Sequence, residues 1–331
     1  MTLVTKKPQT RQQKPGRVTE GKASDAVYQR SARKITGCGP FRDLGQFPCG
    51  GDVCTALAVS TGFDAEDAGT AVHMAVNRLA AAGALPIGVS LLVIWPAEAD
   101  ERALKTLMRG AKAAAKALNI PIGAADVHFS ASQAQPLVTV TATGRAGGLF
   151  ESHLPAAGQD IIMAGYAGWQ GGRKLARLRK EPLTAHFSEA FLEPLYQEDQ
   201  ASASVLKAAA IAAKAGASAM YAADEGGIYS AIWELAASAD LGARVTLKSI
   251  LLRQETVEVC DHIDVSPYQL LSCGCLLIAA DHGQQILGAL AGARIPAAVI
   301  GHLTEDSDRV IISDDEVRYL EPFRQDSLQI F

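Results

Sequence analysis

Three stretches of this chain bring residues together that could do chemistry. The first is GYAGWQGG, which sets Gly165, Gly168, Gly171 and Gly172 between a strand pattern and a helix pattern. Backbone N–H groups at such a turn can converge on a phosphate, and a helix N-terminus adds positive potential. The turn is neither a Walker loop nor a GxGxxG fingerprint, and its other reading is a tight left-handed turn. The second is YAADEGG, with Asp224, Glu225, Gly226 and Gly227 at another strand-to-helix turn. Adjacent carboxylates suit a hard cation with its phosphate, or they cap the helix that follows. The third is AGTAVHMAVNRLAAAGALP, a helix pattern carrying His73 and Asn77. Its plain reading is a small-faced core helix with a hydrogen-bonded His.

The six cysteines are Cys38, Cys49, Cys54, Cys260, Cys273 and Cys275. Gaps of eleven and five residues in the first three do not match a zinc pair, so buried small hydrophobes are the plain reading. A redox or metal role for Cys38, Cys49 and Cys54 is the alternative. No Ser-His-Asp triad or zincin helix is present.

The elements that must position these residues follow from periodicity. Ala56–Thr61 reads as a strand, and Asp64, Glu66 and Asp67 as the cap and acidic first turn of a helix running to about Ala82. Val72, Ala75, Val76 and Leu79 share one face of it. Ile87–Ile94, Ile120–Val127 and Leu137–Thr143 read as strands, the last with the V-T-V-T alternation of a half-buried sheet. Glu101–Leu118 reads as a second helix. In the second half, strands are expected at Asp160–Gly165, Ala219–Ala222, Ala243–Leu247, Leu276–Ala280, Ala297–His302 and Val310–Ser313. Helices are expected at Arg173–Lys180, Ala201–Ala215, Glu225–Ala239 and Gln284–Ala291. The stretch Thr36–Cys54 reads as loop.

The chain has 331 residues, 31 basic and 35 acidic, with a net charge of −4 and 48% hydrophobic content. That length suits two domains, each with its own core. The charge balance supplies no field for nucleic acid or an anionic membrane. No apolar run reaches the ~20 residues of a membrane span, and the polar, basic start has no signal-peptide character. A cytoplasmic protein is expected. With 58 Ala and 30 Gly, helices can pack closely on sheets, which points to an α/β (α+β) fold. We expect a basic tail with a short helix at 1–35, one domain at 36–148 and a second at 149–331. The Gly-rich boundary at 144–158 divides the two.

Taken together, the motifs resemble the PurM-like superfamily of aminoimidazole ribonucleotide (AIR) synthetase-related proteins, nearest in look to HypE-like hydrogenase-maturation factors. Ala68–Pro86 is similar to the family's helix with an N-D pair. Gly158–Gly172 is similar to the opening of its second domain, and Met220–Ala237 to its E-G-G turn and helix. Asp264–Asp281 is similar to its P-x-x-x-L-x-S-G strand. The resemblance implies a PurM-like two-domain fold, with an N-terminal mixed sheet that pairs in a homodimer barrel and a C-terminal α/β sandwich-like domain. It implies ATP and Mg²⁺ in a cleft between domains and phosphoryl transfer to a substrate oxygen, driven by positioning and charge neutralisation. The expected nucleotide and phosphate contacts are Asn77, Gly165, Gly168, Gly171, Gly172, Glu225, Gly226 and Gly227. The expected metal carboxylates are Asp52, Asp64 and Asp126. The alternative is a degenerate nucleotide-binding or non-catalytic dimeric partner.

That alternative rests on departures from the family pattern. Where the family's strand ends S-T-D, this chain has Ser60-Thr61-Gly62, with Asp64 displaced by two. The N-D pair is Asn77-Arg78, a charge reversal at a metal position. Gly123-Ala124-Ala125-Asp126 keeps one acid, and the aspartate before the E-G-G turn is Ala222, with Asp224 nearby. Losing carboxylates and adding an Arg should weaken Mg²⁺ binding severely.

Overall fold

The computed structural model describes residues 44–47, 53–147, 152–197, 199, 201–314, 316–321 and 326–330. The basic tail with its short helix, Cys38, Cys49 and Asp52 lie outside these.

The first half builds a five-stranded mixed sheet from β1 (Leu44–Phe47), β2 (Val53–Thr61), β3 (Leu85–Pro96), β4 (Ile122–Ser130) and β5 (Leu137–Arg145). The order is β1-β2-β5-β3-β4, with β3 and β4 parallel and the other pairs antiparallel. Alternation decides which face is covered. Ala56, Ala58, Leu91, Val93, Val138 and Val140 are buried under two helices, α1 (Ala65–Ala81) and α2 (Glu101–Ala117). Leu57, Val59 and Leu92 stand on the other face, which is open. The helices touch closely because a Cβ on Gly110 would fall 1.7 Å from the Ala65 carbonyl oxygen. Past the end of α1, Ala84 donates its N–H back to Leu79 at 2.9 Å, closing the helix through Gly83 as a C-terminal stop.

The second half is a seven-stranded sheet. Its strands are β6 (Asp160–Ala164), β7 (Ala219–Ala223), β8 (Gly242–Thr246), β9 (Cys275–Ala280), β10 (Ala297–Thr304), β11 (Arg309–Ser313) and β12 (Glu316–Tyr319). The order is β12-β11-β8-β10-β6-β9-β7, with β8 and β11 parallel. Before β7 come α3 (Trp169–Leu178), α4 (Lys180–His186), α5 (Glu189–Tyr196) and α6 (Leu206–Lys214). After it come α7 (Gly227–Ala237), α8 (Gln254–Ile263) and α9 (Gly283–Gly292). Ile161 and Met163 of β6 face one core, shared with Ile228, Ile232 and Leu235 of α7. Ile162 and Ala164 face another, shared with α6 and α9. That second core also takes in Ala80 and Ala81, the last turn of α1. The two halves therefore meet along α1.

Several expectations are corrected. Thr36–Cys54 is not all loop, because Leu44–Phe47 pairs antiparallel with β2 and β2 itself begins at Val53. The helix expected from Arg173 starts at Trp169, and the one expected from Ala201 starts at Leu206 after a 3₁₀ turn. α4, α5, α8 and β12 were not expected. No helix among the described residues is long and apolar enough to cross a membrane.

Candidate functional site

The junction between the halves holds the candidate site. On one side lie the end of β2 and the first turn of α1, with Ser60, Asp64, Glu66, Asp67 and Thr70. On the other lie Gln170, Lys174, Arg177 and Leu271. Together they line a small cleft. Ion pairs cross it. Lys174 reaches Asp67 at 2.8 Å, Arg173 reaches Glu66 at 3.1 Å, and Arg177 also pairs with Glu66. Lys174 donates in addition to the Thr61 carbonyl at 3.2 Å. Asp67 is almost fully buried, and burial pushes its carboxyl upward although Lys174 pulls the other way. It also accepts the N–H of Asp64, at 3.1 Å, as a capping contact.

Asp67 explains the first departure. A Cβ at Gly62 would lie 2.0 Å from Asp67 Oδ2, and Gly62 sits at φ +131°. A side chain there has neither the space nor the backbone conformation. Gly62→Asp, which restores the S-T-D pattern, is expected to destabilise the fold by about 2–3 kcal/mol through overpacking and strain. The urea midpoint would report it, and an unchanged midpoint would refute the clash.

Arg78 explains the second. Its Nε lies 2.7 Å and its Nη2 2.6 Å from Asp224 Oδ2, and Nη1 donates to the Leu57 carbonyl. Asp224 is 4% exposed and Arg78 14%. The guanidinium thus joins α1 to the turn after β7. Beside it, Asn77 is fully engaged: Nδ2 donates to the Ala203 carbonyl at 2.8 Å, and Oδ1 accepts the Val205 N–H at 3.0 Å. Its second N–H points to Cys273 Sγ at 3.7 Å, so Asn77 is a clamp between the halves.

The glycine turns have a different employment from the one expected of them. Gly165 donates to the Pro296 carbonyl at 2.8 Å, Gly168 to Ser272 Oγ at 2.8 Å and Gly171 to the Leu271 carbonyl at 2.9 Å. Gly172 donates to Gly168 and Gly227 to Asp224, both through carbonyls. Gly226 donates to Asp326 Oδ2 at 2.8 Å. All six amides already have acceptors, so here the turns pack and cap instead of cradling phosphate. Glu225 stands half-buried beside them. Asp326, which the sequence reading missed, is a buried carboxylate at the N-terminus of α7. Its other oxygen accepts the Leu328 N–H at 2.9 Å, and burial pushes its carboxyl up to about 6. A carboxylate one hundred residues from the turn it caps leaves no local signal.

Two of the expected metal carboxylates, Asp64 and Asp126, lie on different surfaces of the first half. Asp126 lies on β4 opposite Leu92, which pairs with Thr139, itself opposite Val59 on β2. Three strand spacings separate Asp126 from Val59, about 14 Å. Asp126 belongs to the open face, pairing with His128 at 3.1 Å, whereas Asp64 lines the cleft. No group of three or more His, Cys, Asp or Glu that could hold a metal occurs among the described residues. Cys54, Cys260, Cys273 and Cys275 are buried, and burial pushes the Cys260 and Cys275 thiols up to about 12. Such thiols are protonated near neutrality and poor nucleophiles.

Two mixed α/β halves, closed on each other along one helix, define the class. Residues 53–146 match the AIR synthase related protein, N-terminal domain, and residues 178–313 match the AIR synthase related protein, C-terminal domain. The chain belongs to the AIR synthase-related, PurM-like family. Over 324 residues it is 24% identical to phosphoribosylformylglycinamidine synthase subunit PurL of Methanothermobacter marburgensis. The alignment covers 89% of this chain and 44% of that one, so the chain spans less than half the length of that relative. Its fold is similar to the hydrogenase maturation protein HypE in complex with ATP. The TM-score is 0.71 at 19% identity, covering 94% of this chain and 98% of that one. It is also similar to thiamine monophosphate kinase from Aquifex aeolicus. There the TM-score is 0.67 at 15% identity, with 88% and 96% covered.

Proposed function

We propose that this chain is a dimeric nucleotide-binding protein that takes ATP in the cleft between its halves. The observation that carries the reading is the cationic wall of α3. Lys174 and Arg177 line the cleft opposite Ser60 and Thr70, and Arg173 stands beside them. A polyphosphate entering there competes with Glu66 and Asp67 for the same cations, exchanging one set of charge-assisted bonds for another. The ATP held by the HypE relative supports the same choice of ligand. Calorimetric titration of the full chain with ATP tests it. Saturable binding that Lys174→Ala and Arg177→Ala weaken is expected, and no binding heat would end the reading.

The homodimer is assigned to the open face of the first sheet. Leu57 is 51% exposed, Val59 43% and Leu92 38%, on a surface that also carries Thr139, Thr141, Ser90 and the Asp126–His128 pair. Apolar residues grouped on an uncovered sheet face mark an interaction surface. Leu57→Asp with Leu92→Asp is expected to turn a sedimenting dimer into a monomer without changing the helical circular dichroism. A variant that still sediments as a dimer would move the interface elsewhere.

A further inference from the structure

Resting on that nucleotide reading, we infer that Arg78 is a built-in cation standing in for a divalent metal, so that the cleft takes ATP without Mg²⁺. The two ends of the junction carry this independently. At Asp224, two guanidinium nitrogens already lie within 2.7 Å of one carboxylate oxygen, and the pair is buried. A divalent ion bound to the same carboxylate would stand about 4 Å from that guanidinium. At an effective dielectric of about 20, a double and a single positive charge at that distance repel by about 8 kcal/mol. Arg78 would have to leave, giving up Asp224 and the Leu57 carbonyl together.

Three neighbouring carboxylates, Asp326, Asp67 and Glu66, offer no replacement site. Asp326 stands close enough to Asp224 to feel its charge, but both its oxygens accept backbone N–H groups, from Gly226 and Leu328. At the far end, Asp67 is paired with Lys174 and blocks any side chain at position 62. Glu66 is held by Arg173 and Arg177. Every carboxylate named here is thus neutralised by an Arg, a Lys or backbone amides. A carboxylate and a guanidinium sum to zero charge, as two carboxylates and a divalent ion do. The charge reversal at position 78 therefore preserves neutrality at the junction while removing the exchangeable ion. Phosphoryl transfer needs metal charge at the transferring group, so the bound nucleotide acts as a ligand and is not consumed.

The test uses the full chain and has two independent arms. In the first, Mn²⁺ is titrated into nucleotide-free protein and followed by electron paramagnetic resonance. The expected result is no stoichiometric site, whereas a stoichiometric site that Asp224→Asn abolishes overturns the assignment. In the second, ATP affinity is measured in MgCl₂ and in EDTA. Equal affinities are expected, and binding that collapses in EDTA overturns the inference. If ATP binds in neither buffer, the nucleotide reading is what has failed, and the Mn²⁺ arm still decides the role of Arg78. Should Asp224→Asn not fold, the EDTA arm decides by itself.

Discussion

Arg78→Ala is expected to lower the unfolding free energy by about 3–5 kcal/mol, the cost of leaving one partner of a buried ion pair without the other. The cost comes from what truncation leaves behind. Asp224, 4% exposed, would lose the cation that faces it, and the Leu57 carbonyl would lose a donor. Urea unfolding followed by circular dichroism reads the change as a fall in midpoint at constant slope. The double variant Arg78→Ala with Asp224→Ala is expected to cost less than the sum of the two singles, because neither charge is then stranded. A loss below about 1 kcal/mol for the single variant, the worth of an exposed pair, would show that solvent reaches the pair freely.

The second large effect is a pH dependence with an unusual sign. Burial lifts the Asp326 carboxyl from 3.8 to about 6, against the pull of backbone N–H groups including Gly226 and Leu328. Its folded pKa then exceeds its unfolded one. Between about pH 4 and pH 6 the folded chain holds more protons, so this group's contribution falls as pH rises. Two pKa units correspond to about 3 kcal/mol, fully present below pH 4 and gone above about pH 6. Asp67 is shifted in the same direction, also by burial, so the comparison must isolate Asp326. Asp326→Asn keeps the shape and cannot ionise. Urea midpoints of the unmodified protein minus those of the variant should slope downward across that window and level off beyond it. A difference that is flat throughout would mean the carboxylate is solvated.

Much of the architecture was legible because it is periodic. The alternation at Leu137–Thr143 told which residues of β5 face the helices, and the i, i+3/i+4 face of α1 was read from Val72, Ala75, Val76 and Leu79. The missed elements have weak periods. α8 buries only Thr256, Val259 and Cys260 of its ten residues, a stripe too narrow to stand out among its charges. α5 carries Pro194 within its eight residues, which reads as a breaker. The site was half legible. Position 78 was visibly reversed in charge, but its partner lies 146 residues away. The glycine turns were visible as turns, yet what their amides bind depends on acceptors such as Pro296, Ser272 and Asp326, which only the tertiary fold brings near. Residue type and spacing locate such turns, and non-local contacts decide their use.

The helix shared by the two sheets has a thermodynamic corollary. Ala80 and Ala81 are packed among Ile162, Met220 and Leu276, while Val72, Val76 and Leu79 of the same rod lie under the first sheet. Neither half can melt and leave that rod intact for the other. Differential scanning calorimetry should therefore record a single endotherm with matching calorimetric and van't Hoff enthalpies, where two loosely tethered modules would give two.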